Sequence, residues 1–125
     1  MNYKDFYVHH VERENMMTVS AFRREAKIDF GVLKYDENNA INGFIEKPVY
    51  QFDVSMGIYC INRSVIEKLP RGEAYGFDNL MLDGIKSRAK YSVKVFNGFW
   101  LDIGRPEDYD YCNENYNEIK EKIGF

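Results

Sequence analysis

Two short clusters of residues, and a pair of glycines, have the types and spacing to do chemistry. The first cluster is Glu46-Lys47-Pro48, which closes the apolar-rich run Ile41 to Ile45. Pro48 cannot continue a central ladder, and it pushes Lys47 toward extended backbone. The strand end then points Glu46 and Lys47 outward side by side, where ligands of open α/β sheets collect. An ammonium there suits a phosphate as a point charge, and a carboxylate beside it suits hydroxyl groups. Taken alone, the same three residues also describe a solvated Glu–Lys pair at a turn. The second cluster is Trp100-Leu101-Asp102-Ile103-Gly104. A lone acid framed by apolar residues is costly to bury unless it is paired or metal-bound. Asp102 can hold a divalent cation, since Mg²⁺ takes one or two carboxylates and fills its octahedron with phosphate oxygens and waters. It can also simply cap the helix that begins at Pro106. The glycines are Gly31 and Gly57, each inside a strand pattern. Glycine there marks a bulge, a close ligand or a tight packing contact. Tyr59 projects to the face of Gly57 and reads as a core residue. His9 and His10 point in different directions on a helix and have no third ligand spaced to help them, so they read as surface or docking residues.

These residues need elements to hold them. Residues 4–14 predict a short helix capped by Asp5, with Tyr7 and Val11 on one face. Residues 16–23 alternate as a strand with Met17, Val19 and Ala21 on one side. Residues 29–35 and 41–46 predict a hairpin around the turn chemistry of Asp36-Glu37-Asn38-Asn39-Ala40. The apolar run 54–61 predicts a central strand covered on both faces. Asn62 is placed to cap a short helix closed by Pro70, and Asp78 a second one with Leu82, Ile85 and Ala89 on one side. Residues 91–96 predict a strand. A last helix from Pro106, with Glu107 and Asp108 in its positive first turn, should dock through Tyr109, Cys112, Tyr116, Ile119 and Ile123. Helices and strands mix, which predicts an α/β or α+β fold.

Composition removes several classes. The chain has 125 residues, so one domain spanning 1–125 is the default. Lys and Arg total 17 against 20 Asp and Glu, a net charge of −3, with no basic run. That argues against a nucleic-acid partner. No apolar stretch is long enough for a membrane helix. Cys60 and Cys112 read as two buried thiols of a reducing, cytoplasmic compartment, with a disulfide between them as the alternative.

The order Phe44-Ile45-Glu46-Lys47-Pro48, then Met56-Gly57-Ile58-Tyr59, then Phe99-Trp100-Leu101-Asp102-Ile103-Gly104-Arg105-Pro106-Glu107-Asp108-Tyr109 resembles the second half of the sugar-1-phosphate nucleotidyltransferases. The likeness is to the mannose-1-phosphate guanylyltransferase and glucose-1-phosphate thymidylyltransferase branches. It implies a partial Rossmann-like α/β sandwich, with a mixed sheet and flanking helices. It also implies a reaction in which a sugar-1-phosphate oxygen attacks the α-phosphorus of an NTP, releasing pyrophosphate and an NDP-sugar, with Mg²⁺ as the expected cofactor. By the same resemblance, Gly31 and Gly57 line the sugar pocket, Glu46 reads sugar hydroxyls, Lys47 holds the sugar phosphate, and Asp102 is a metal-binding aspartate. Ser55 stands where many relatives carry Asn. The Gly-x-Gly-Thr-Arg-type nucleotide loop and the first metal acid of the family have no match in the chain and are expected upstream of Met1. The chain therefore reads as the C-terminal, sugar-phosphate-binding part of such a domain, inactive alone. The alternative is a non-catalytic module, derived from that fold, that binds sugar phosphate or a partner protein. With its nucleotide side missing, an apolar strand edge should be left uncovered, so self-association is expected. The particular sugar and base are not legible.

Overall fold

The most deeply buried stretch is Met17 to Ala21. It opens β1 (Met17–Lys27). Both of its faces are covered, and a computed structural model of residues 1–104 and 106–124 shows why. Met17 and Val19 pack with Val65 and Leu80. On the opposite face Thr18 and Ser20 are also fully buried, because their hydroxyls find partners inside. Thr18 Oγ1 lies 2.9 Å from His10 Nδ1 and accepts from Asn15 Nδ2 at 2.9 Å, while Ser20 Oγ donates to the Met56 sulfur at 3.0 Å. A satisfied hydroxyl removes the burial penalty that would otherwise exclude it.

The remaining elements are α1 (Tyr3–Glu12), β2 (Val32–Tyr35), β3 (Ile41–Ile45), β4 (Val49–Ile61), α2 (Arg63–Ile66), α3 (Phe77–Lys86), β5 (Tyr91–Phe96), α4 (Pro106–Glu114) and α5 (Tyr116–Ile123). The chain divides into two compact units, Met1–Phe22 with Ser55–Phe125, and Arg23–Val54. Arg105 and Phe125, at the edges of the last helical region, lie outside the described residues.

The sheet order is β4-β1-β5. β1 and β5 run parallel, with Met17 opposite Tyr91 and Phe22 opposite Phe96. Beside β4 the partners run in opposite senses: Arg23 meets Asp53, Glu25 meets Gln51, and the Ile28 N–H donates to Pro48 O. The sheet is therefore mixed, and β1 is its middle strand. This corrects the expectation that 54–61 would be central. β4 is at an edge of the described sheet, and most of its side chains are half or fully exposed. An apolar run shows surface that can be buried, not that this chain buries it.

Several local expectations are corrected by tertiary contacts. The cap of α1 is Asn2, whose Oδ1 accepts from the Lys4 and Asp5 N–H groups. Its buried residues are Phe6 and His10, not Tyr7 and Val11. His10 is anchored at both ring nitrogens, Nδ1 to Thr18 and Nε2 to Asn62 Oδ1 at 3.1 Å. Asn62 occupies the N-cap position of α2 but spends its amide on the Asn15 carbonyl and its oxygen on His10. Gly76, not Asp78, precedes α3. Leu82 and Ile85 face solvent, because α3 seats Leu80 and Gly84 inward. The expected last helix is two helices, α4 and α5, and Tyr109, Tyr116 and Ile123 are exposed. Cys60 and Cys112 are free thiols that are partly, not fully, buried. Burial pushes the Cys60 thiol up from its ordinary pKa.

Gly84 is the tightest point of this packing. A methyl group on it would collide with the Tyr91 ring. Gly84→Ala should therefore destabilise the chain by overpacking, by about 1–3 kcal/mol. The denaturant midpoint measures this, and an unchanged midpoint would show that Tyr91 yields freely.

In the Arg23–Val54 unit, β2 and β3 pair antiparallel, with Leu33 opposite Phe44. The turn is held as its chemistry predicts. Asp36 Oδ1 accepts from the Asn38 and Ala40 N–H groups at 2.9 and 3.0 Å, and Asn39 takes a φ of 64°. Arg23 grips Asp53 through Nε and Nη2 at 3.0 and 3.2 Å. That hydrogen bond holds the Asp53 carboxyl below the usual carboxylate range. The stability it adds is present at neutral pH and is lost as pH falls through the lowered Asp53 pKa. No residue of this unit is fully buried.

Candidate functional site

The hairpin unit gathers one set of the expected residues. Phe44, on β3, lays its ring over Gly31, just before β2, and any side chain at Gly31 would strike it. The Glu46 carboxylate reaches the same place, with Oε2 3.2 Å from where a Cβ on Gly31 would stand. A side chain at 31 would push the exposed Phe44 ring aside, and glycine there leaves the Glu46 carboxylate beside the Gly31 backbone. Glu46 and Lys47 are both exposed.

Lys47 differs from its expected backbone. Its φ is 42°, in the left-handed region. Pro48 excludes the right-handed helical region for the residue before it. Here the chain meets that restriction by turning through the left-handed well, not by extending, at the step from β3 into β4, where the pairing shifts register by one residue between Val32 opposite Ile45 and the Ile28 N–H on Pro48 O. A non-glycine residue in that well costs of order 1–2 kcal/mol. Such strain is often found where a side chain must be aimed.

The other unit holds Gly57 and Asp102. Gly57 lies within β4 at a φ of +74°, and nothing stands within 4 Å of where its Cβ would be. The positive φ explains the glycine, and the open space leaves its backbone approachable. Its N–H donates to Ser55 Oγ at 3.3 Å. The Ser55 hydroxyl lies 3.3 Å from the Tyr59 hydroxyl, and the Tyr59 ring stacks on Phe77 with centroids 4.0 Å apart. The sequence predicts Tyr59 in the core. The structure instead puts its hydroxyl with Ser55 beside the open face of Gly57. The alternation Ser55, Gly57, Tyr59 on one side of a strand was the signal for that pairing.

Asp102 lies in the loop between β5 and α4 and is exposed. The burial cost inferred from its apolar neighbours does not arise. Trp100 turns away to pack on Phe22, with centroids 5.4 Å apart, and Ile103 is 57% exposed. Asp102 Oδ1 accepts the Gly104 N–H at 3.2 Å, closing a small turn. Among the described residues no three His, Cys, Asp or Glu side chains cluster as a metal site. A single exposed carboxylate still fits Mg²⁺, which takes one or two protein carboxylates and draws its other ligands from phosphates and water.

Gly31 is thus brought together with Glu46, and Gly57 with Ser55 and Tyr59. Asp102 is placed on its own loop with Gly104. What the arrangement offers is a carboxylate and an ammonium on one strand end, an open glycine backbone with two hydroxyls, and an exposed acid suited to a hard cation.

The nucleotidyl transferase family model matches residues 1–119. The chain is 28% identical over 109 residues to the mannose-1-phosphate guanylyltransferase catalytic subunit beta of Drosophila melanogaster, covering 86% of this chain and 29% of that one. It is 31% identical over 116 residues to the glucose-1-phosphate adenylyltransferase of Clostridium acetobutylicum, covering 83% and 30%. The chain therefore spans under a third of the length of these relatives. Among solved structures, HddC from Yersinia pseudotuberculosis superposes with a TM-score of 0.60 at 23% identity, over 93% of this chain and 50% of that one. A second structure of HddC, complexed with GMP-PN, superposes at 0.58. The superposition shows the nucleotide-diphospho-sugar transferase fold, and with the match over residues 1–119 it establishes that this chain belongs to the nucleotidyl transferase family.

Proposed function

We propose that this chain is the sugar-phosphate side of an enzyme that transfers a nucleotidyl group from an NTP to a sugar-1-phosphate, giving an NDP-sugar and pyrophosphate. The observation that carries this reading is the strand end where the Glu46 carboxylate lies against Gly31 and Lys47 is held in a strained turn. In it, Lys47 holds the sugar phosphate by a charge-assisted contact, and Glu46 accepts hydrogen bonds from sugar hydroxyls. The backbones at Gly31 and Gly57 admit the ring closely, and Asp102 is one protein ligand for Mg²⁺. When bound, Mg²⁺ would neutralise charge on the phosphates. The free cysteines fit a reducing, cytoplasmic compartment, and no described helix is long and apolar enough to cross a membrane. The 125 residues contain no Gly-rich nucleotide loop, which also suits a module that binds sugar phosphate without chemistry. The coding sequence preceding Met1 separates the two: a Gly-rich nucleotide loop in frame supports the first reading, and its absence the second.

Binding is the direct test. Titration of the chain with mannose-1-phosphate or glucose-1-phosphate should give a saturable signal that free hexose lacks. Lys47→Ala should weaken it about tenfold or more, the usual cost of a lost hydrogen bond to a charged group. Equal binding of sugar and sugar phosphate would overturn the role of Lys47.

The same unit exposes ten large apolar side chains between Ile28 and Phe52. Patches of this kind recruit other chains. At micromolar concentration the chain should sediment as a dimer or larger, and a clean monomer that binds no hydrophobic dye would exclude self-association.

A further inference from the structure

A cavity of about 270 Å³ opens at the N-terminal ends of the parallel pair β1 and β5, between α2 and α3. None of the residues assigned to sugar-phosphate binding lines it. Asp102 follows the opposite, C-terminal end of β5, the end where reaction sites of open α/β sheets form. The floor is apolar, formed by Val65, Leu69, Leu80, Ala89 and the Tyr91 ring, and the rim carries Lys68 and Asp83. The cavity stays open because Gly84 already touches Tyr91, so α3 cannot settle further onto the sheet.

The rim is polarised. Tyr75 Oη donates to Asp83 Oδ2 at 2.7 Å. The neighbouring carboxylate pushes the Tyr75 hydroxyl up to about 12, so at neutral pH it remains a donor and fixes the Asp83 side chain. Ser87 spends its hydroxyl proton on the α3 carbonyls of Asp83 and Gly84. Among the described residues Lys68 has no carboxylate within 4.0 Å. The rim therefore presents a cation and an anion that do not neutralise each other, above an apolar floor. The volume lies just under the ~300–1,000 Å³ of drug-sized pockets, too small for a nucleotide and suited to about ten heavy atoms.

We propose that this cavity is a second small-molecule site, which takes a free α-amino acid with an aromatic or bulky aliphatic side chain. The side chain fills the floor, the α-carboxylate meets Lys68, and the α-ammonium meets Asp83.

The test is an NMR titration of the whole chain with L-phenylalanine, phenylacetate and phenethylamine. The backbone amides of Lys68, Asp83, Ser87 and Ala89 should shift, and phenylalanine should bind about tenfold tighter than either analogue that lacks one head group. Lys68→Ala, at an exposed position, should remove the advantage of phenylalanine over phenethylamine and leave phenethylamine binding unchanged. Equal affinity for all three ligands, or the same phenylalanine affinity in Lys68→Ala, overturns the assignment. So does the absence of shifts at about 10 mM ligand, where even a weak site is occupied. Because neither Lys47 nor Asp102 takes part, the result is independent of sugar-phosphate binding.

Discussion

Purified alone, the chain is expected to release no pyrophosphate above background from GTP, dTTP, UTP, CTP or ATP with hexose-1-phosphates and Mg²⁺. The reaction is phosphoryl chemistry, in which the protein supplies position and charge in place of covalent steps. On the proposed reading, Lys47 and Asp102 would supply two of those charges. No Gly-rich loop in the 125 residues can cradle the triphosphate. Holding two reactants in line accounts for about 7–11 kcal/mol of barrier lowering. With only one reactant held, most of that is lost, a fall of roughly five to eight powers of ten in rate. A coupled phosphate assay reads this directly. Turnover at ordinary enzyme rates would show that these residues contain a complete nucleotide site, and would move the search for it to the Ser55–Tyr59 face. No turnover together with sugar-phosphate binding is the outcome expected of half a site.

What was legible in the sequence followed the range of the interaction. The hairpin was legible because its turn is local: Asp36, Asn38, Asn39 and Ala40 satisfy one another within five residues. The Glu46–Lys47 strand end was legible for the same reason, although the left-handed φ of Lys47 was not. The Pro48 rule disfavours one region and leaves a choice that the one-residue register step between β3 and β4 decides. Long-range burial was not legible. Thr18 and Ser20 look like a solvent face and are buried, because His10, Asn15 and Met56 come from elsewhere to satisfy them. Leu82 and Ile85 look like a core face and are exposed, because Gly84 lets α3 approach the sheet on its other side. The break at Asn115 had a faint signal, an Asn in the middle of a helical pattern. Its side chain does what that residue type favours, donating to the Tyr111 carbonyl at 2.9 Å. Asp102 was legible as an acid worth singling out, but for a partly wrong reason. It is not buried, and the proposed cation-ligand role rests on its exposure instead.

In an enzyme carrying the whole domain, Asp102→Asn should lower kcat by about a hundredfold or more and raise the Mg²⁺ concentration needed for half-maximal rate. The substitution separates the two readings of this residue. Oδ1 of Asp102 accepts the Gly104 N–H at 3.2 Å, and the amide oxygen of Asn can accept the same bond. The turn into α4 is kept while the charge that holds a divalent cation is removed. A residue that serves only the turn would therefore tolerate Asn with kcat, Mg²⁺ dependence and unfolding midpoint all unchanged. A metal ligand would lose rate and metal affinity at an unchanged midpoint. Glu107→Gln, in the first turn of α4 five residues on, is the matched control. It also removes one negative charge near the same helix N-terminus, where a carboxylate contributes about 0.3–1 kcal/mol to the helix. If Glu107→Gln reproduced the Asp102→Asn effect, the loss would belong to the general field at the end of α4 and the metal role of Asp102 would fall. If only Asp102→Asn moves the Mg²⁺ curve, the carboxylate acts on the cation directly.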